Sequence, residues 1–123
     1  HLGATTIWEE YDPKLEGAAH YSMYGEPYGK SLCHAWGGGP VYLLGRYYLG
    51  VVPTAPGYET FDIAPSLGGL KWMKGTVPVE GGLVEVEMDE QRVTVRATRP
   101  GGTLRVNGQS YLLTKDEPLT VSL

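Results

Sequence analysis

Two patterns of apolar and polar positions divide this chain. From Tyr58 onward, short runs alternate. Val84, Val86 and Met88 share one side of an extended segment, and Glu85 and Glu87 share the other. Val93, Val95 and Ala97 repeat the period, as do Leu119, Val121 and Leu123. A period of two places every second side chain on the same sheet face. The runs read as strands are 58–63, 70–76, 83–88, 92–98, 103–106, 110–114 and 119–123. Gly68-Gly69, Gly81-Gly82, Asp89-Glu90, Pro100-Gly101-Gly102 and Asn107-Gly108 separate them. Asn-Gly favours the two-residue hairpin turn with positive φ at both central positions. Seven short strands at this spacing predict an antiparallel β-sandwich.

The first fifty residues follow another pattern. Residues 13–30 are rich in Gly and Pro and read as an irregular loop. Residues 40–49 read as a helix, with Pro40 at its first position and Gly50 at its stop. Val41, Leu44 and Tyr48 form a stripe widened by Leu43 and Tyr47, which predicts a mostly buried helix. Gly37-Gly38-Gly39 disfavours an earlier start at Ser31. Residues 51–57 hold two prolines and read as a stiff connector. The fold class expected is therefore mainly β with an N-terminal helical segment.

Composition narrows the function. The net charge of -4, with no Lys/Arg run longer than two, argues against nucleic-acid binding. No apolar run reaches the roughly 18 residues of a membrane span. Cys33 is the only cysteine, and no Cys/His spacing suits a metal. The chain begins at His1 without Met, which suggests a cut from a longer protein. Nine of its 13 aromatic residues fall within residues 1–50, along with all three histidines. Candidate chemistry therefore concentrates there.

Glu9 follows Ile7 and Trp8. An apolar wall of that kind partly desolvates a carboxylate and raises its pKa, as acid–base work requires. The alternative is an ordinary solvated glutamate. Glu10 is expected to point elsewhere, Asp12-Pro13 to form a turn, and Glu26 to be a loop carboxylate. His34 lies between Ser31 and Trp36. It can donate to a hydroxyl while the indole stacks on a sugar ring, or it can be a core histidine bonded to a carbonyl. Ser31 reads as a helix N-cap, since no Gly-x-Ser-x-Gly elbow exists. Cys33 reads as a small buried residue, and Arg92, Arg96, Arg99 and Arg105 as solvated strand positions.

Gly3-Ala4-Thr5-Thr6-Ile7-Trp8-Glu9 resembles a motif of bacterial α-L-rhamnosidases, inverting glycoside hydrolases with an (α/α)6 barrel. Ser31-Leu32-Cys33-His34-Ala35-Trp36-Gly37 resembles the block that opens their last barrel helix. Ile63-Ala64-Pro65 and Leu70-Lys71-Trp72 resemble the start of their C-terminal sandwich. The resemblance implies the end of a barrel in residues 1–52 and a β-sandwich in residues 53–123. It implies that Glu9 is the general base and that His34 contacts the rhamnose, with Trp8 and Trp36 as pocket neighbours. The family often has Asn where Cys33 stands, which touches substrate detail.

The implied reaction is a single displacement in which an acid protonates the leaving oxygen while a base deprotonates water. Only the base is in this chain, so the chain alone is expected to be inactive. No metal or organic cofactor is implied. The expected partners are a rhamnose-containing glycan or glycoside and the remainder of the barrel. Apolar surface that the barrel would cover is expected to drive pairing of two copies or aggregation. Two rival readings stay open: a carbohydrate-binding or purely structural sandwich, and an (α/α)6 glycosidase acting on fucose or a uronic-acid sugar.

Overall fold

The computed structural model describes residues 4–123, so His1 and Gly3 of the first motif lie outside the described residues. Contacts divide the chain into two compact units, one ending at Tyr42 and the other spanning Leu43–Leu123. The expected boundary at 52/53 falls within a strand of the second unit.

The second unit is built of two four-stranded sheets. One has the order β1 (Val51–Pro53), β2 (Phe61–Ile63), β6 (Gly102–Val106) and β7 (Gln109–Leu112). The other has the order β3 (Trp72–Val79), β4 (Gly82–Asp89), β5 (Arg92–Ala97) and β8 (Leu119–Ser122). Each sheet buries one face in a common core. Val84, Val86, Val93, Val95 and Ala97 supply one side, and Phe61, Ile63 and Leu104 the other. Burying side chains of this size stabilises by about 1.5–3 kcal/mol each, which the ordering entropy then largely offsets. The alternating residues Glu85 and Glu87 face solvent opposite cross-strand cations. Arg96 bonds Glu85 at 3.0 Å and Lys74 bonds Glu87 at 2.9 Å.

The turns follow their chemistry. Asn107 and Gly108 both have positive φ, 52° and 72°, and close the β6–β7 hairpin between Val106 and Gln109. The Asp89 carboxylate accepts from the backbone N–H of Gln91 at 2.8 Å and of Arg92 at 2.9 Å, closing the β4–β5 turn.

Four strand expectations change. Of the run 58–63 only Phe61–Ile63 is strand, because Tyr58 ends a 3-10 turn over Pro56–Tyr58. The Val51-Val52-Pro53 connector is strand β1, paired antiparallel with β2. It sits at a sheet edge, where a proline lacking its N–H is tolerated. The β3 strand runs through Pro78 to Val79 for the same reason, because it lies at the edge of its sheet and β4 is its sole neighbour among the described residues. The sandwich is not wholly antiparallel, since β2 and β6 pair in parallel. The chain leaves the first sheet after β2, builds β3, β4 and β5, and returns as β6.

The expected helix exists but is irregular and mostly exposed. A 3-10 turn, Ala35–Gly38, leads into α1, Gly39–Leu43, which continues as a π-helix over Leu44–Tyr48. The wider winding is fixed by the Leu49 N–H, which donates to Leu44 O at 3.0 Å. Gly45 permits a close approach to Val77 within the second unit. Val41, Tyr42, Leu43, Leu44 and Tyr47 are all exposed, so the predicted burial of this stripe is not seen within the chain. Of the helix and its end, Gly45, Leu49 and Gly50 are buried.

Candidate active site

The first unit holds little regular structure, and an aromatic cluster replaces a sheet core. Trp8 is buried, stacked on Tyr11 with ring centroids 5.6 Å apart and planes 4° from parallel. Tyr21 tilts against the same indole at 5.6 Å, and Tyr28 stacks on Tyr21 at 6.1 Å. Offset aromatic stacking of this kind adds to the burial of the rings.

Around this cluster the two chemistry-bearing segments lie side by side. The Glu9 N–H donates to Ser31 O at 2.9 Å, and the His34 N–H donates to Ile7 O at 2.8 Å. The Thr6 hydroxyl donates to Leu32 O. Gly37 sits directly against Ile7, where a Cβ would collide with the isoleucine side chain. A glycine is required there because the backbone approaches a neighbouring residue too closely for any side chain.

This pairing sets the surroundings of Glu9, which is half-buried. The Tyr24 hydroxyl donates to its Oε1 at 2.7 Å, and the Ser31 N–H donates to its Oε2 at 3.1 Å. No ion pair engages Glu9 among the described residues. Its carboxyl is held below the usual carboxylate range, chiefly by the Tyr24 hydroxyl and then by the Ser31 N–H. Partial burial opposes this, and the nearby charges of His34 and Lys30 add to it. Donors to the ionised form outweigh desolvation. The direction is the reverse of that expected from Ile7 and Trp8. Ile7 is exposed, and Trp8 is directed into the aromatic cluster. Neither provides the apolar wall that adjacency in sequence suggested. The same bond pushes the Tyr24 hydroxyl above its ordinary pKa, because an ionised neighbour disfavours a phenolate.

His34 is half-buried and meets Trp36 edge-on, with centroids 5.6 Å apart and planes at 89°. Trp36 is 89% exposed. Glu9, His34 and Trp36 therefore belong to one neighbourhood, whereas Trp8 is buried against Tyr11 and Tyr21 rather than on the surface. Ser31 caps no helix and serves through its N–H to Glu9. Cys33 is exposed, where a buried thiol was expected. Asp12 forms the turn expected of it, accepting from the Lys14 N–H at 2.9 Å. No cluster of three or more His, Cys, Asp or Glu suited to a metal occurs among the described residues. No described helix is long and apolar enough to cross a membrane.

No protein-family model and no curated protein matches this chain. Among solved structures it is similar to a candidate kojibiose phosphorylase from the human microbiome, at 12% identity and a TM-score of 0.48. That match covers 65% of this chain and 10% of the other, so this chain spans about a tenth of that protein's length.

Two residues of the site were not singled out from the sequence. Tyr24 reaches Glu9 across 15 positions. Lys30, buried with its side chain only 1% exposed, pairs with Glu10 Oε2 at 3.2 Å. Glu10 thus shares Lys30 with Glu9 and its charge also acts on Tyr24, so it does not point clear of Glu9's partners as expected. The one local signal for Tyr24 is the glycine after it, which marks a tight turn. Lys30 carries no local signal, since lysines are rarely buried.

Proposed function

We propose that this chain is the closing part of an inverting glycoside hydrolase that removes terminal α-L-rhamnose, with Glu9 as the general base. The observation that carries this reading is the state of Glu9. Each of its oxygens accepts from a neutral donor, no ion pair engages it among the described residues, and these donors with the nearby charge of His34 favour its ionised form. A base in single displacement must be deprotonated before it can take a proton from water. Each carboxylate oxygen has one protein donor and keeps further lone-pair capacity for that water.

His34 is the group assigned to a sugar hydroxyl, and the exposed Trp36 offers a ring face to the C–H face of the sugar. Trp8 contributes through the aromatic cluster it forms with Tyr11 and Tyr21. The acid that protonates the leaving oxygen belongs to the remainder of the barrel, about 6.5–9.5 Å from Glu9 across the bond that breaks. The exposed apolar stripe from Val41 to Tyr47 suits contact with that barrel. No metal or organic cofactor takes part in this scheme.

The test is Glu9→Gln in a protein carrying both the barrel and this chain. Turnover of an aryl α-L-rhamnoside should fall by about 10²–10⁴-fold, the range for loss of a positioned acid or base, with the circular dichroism spectrum unchanged. Full turnover in that variant excludes Glu9 as the base.

A further inference from the structure

Tyr24 occupies a backbone conformation that its residue type disfavours. Met23 and Glu26 form an isolated antiparallel bridge with reciprocal backbone bonds, Met23 N–H to Glu26 O at 3.1 Å and Glu26 N–H to Met23 O at 3.0 Å. Tyr24 and Gly25 between them both have positive φ, 56° and 80°. This is the two-residue turn whose first central position prefers Asn, Asp or Gly. A bulky aromatic residue there is strained. Burial does not offset the strain, for Tyr24 is 78% exposed. Its ring has no aromatic partner among the described residues. Tyr28, also at positive φ, at least stacks on Tyr21. What Tyr24 does gain is one bond, from its hydroxyl to Glu9 Oε1 at 2.7 Å. Strain retained without burial points to a role at a functional site.

We infer that Tyr24 is a positioning residue for Glu9, a side chain carried on a strained hairpin tip so that its hydroxyl fixes one carboxylate oxygen while the other is fixed by the Ser31 N–H. The two donors approach from different segments and so define the carboxylate's rotation as well as its place. This rests on Glu9 serving as the base, and it assigns the hairpin at 23–26 a part in that chemistry. Loss of the hydroxyl should let the carboxylate rotate and let its pKa rise, since the largest cause of its depression is removed. The other groups facing Glu9, His34 and Lys30 on the neighbouring segment and Glu10 beside it, are unchanged by that substitution.

Two variants of this chain separate positioning from mere structure. Tyr24→Phe keeps the ring and the strain and removes the hydroxyl. Tyr24→Asn also removes it, and places at the turn a residue the turn prefers. The measurement is the titration of the Glu9 carboxyl carbon by assigned 13C NMR, with Tm recorded alongside. The expected result is a higher Glu9 pKa in both variants, with a Tm in Y24N no lower than in Y24F. In the barrel-containing protein, Y24F should move the acid limb of kcat/KM to higher pH. An unchanged Glu9 titration in both variants overturns the inference, as does a Y24N chain less stable than Y24F. A Glu9 titration that shifts as expected, in a protein whose Glu9→Gln variant keeps full turnover, upholds the positioning bond and removes the base assignment instead.

Discussion

The two units hold their side chains by different means. In the sandwich, alternation along β4 and β5 places Val84, Val86, Val93 and Val95 inside, and Glu85 and Arg96 outside. The order comes from backbone ladders, and nearest neighbours in sequence suffice to read it. In the first unit, Glu9 is held by Tyr24 and Ser31, and Lys30 by Glu10. Those contacts join residues between 15 and 22 positions apart across irregular chain. Regular structure gives the second unit a core. Irregular structure gives the first converging polar groups and a buried cation. A scaffold of ladders tolerates surface change, whereas a site of single bonds does not.

That difference can be broken from either side. The largest effect on stability is expected in the sandwich core. Phe61 is fully buried between the sheets, and Phe61→Ala should cost about 3–5 kcal/mol in urea unfolding, through lost transfer energy and a residual cavity. A loss near the surface value would mean that the two sheets do not share this core.

An intermediate effect belongs to the first unit. Glu10→Ala leaves the buried Lys30 ammonium without its carboxylate and should cost about 1–3 kcal/mol, the range for a buried polar group left unmade. Lys30→Met removes the charge itself, keeps the apolar stem, and leaves the half-exposed Glu10 to water, so its cost should be smaller. Equal costs would place Lys30 nearer solvent than described. The smallest effect is expected at the sandwich surface. Lys74→Ala deletes a solvent-screened pair with Glu87, and its Tm should match that of the parent chain.

The contrast also explains what could be read in advance. The seven runs, the Asn107-Gly108 hairpin and the solvated charges on β4 and β5 were legible because a period of two is local. The β1 strand was hidden because Val51-Val52-Pro53 is short and ends in proline. The parallel β2–β6 pair was hidden because no residue in either strand encodes its partner. The helix was placed within about a residue, but its burial was not, because a wide apolar stripe does not say which surface covers it.

At the site, the resemblance of the two motifs implied separate roles for Glu9 and His34, and the bonds Glu9 N–H to Ser31 O and His34 N–H to Ile7 O bring their segments side by side. Their order in sequence could not show the sign of the Glu9 shift. That sign depends on where Ile7 and Trp8 turn and on donors arriving from Tyr24 and Ser31. Trp36 stands exposed beside His34, whereas Trp8 is consumed in packing with Tyr11. Only the fold distinguishes two tryptophans that look alike in the motifs.

The central claim is that Glu9 takes a proton from the attacking water. It is tested most directly by adding azide to the Glu9→Gln variant of the barrel-containing protein, with an activated aryl α-L-rhamnoside as substrate. Azide attacks without needing a base, so turnover should recover and the product should be the β-configured rhamnosyl azide, inverted at the anomeric carbon. A variant that turns over normally without azide, or one that azide does not rescue although it folds and binds rhamnose, contradicts the account.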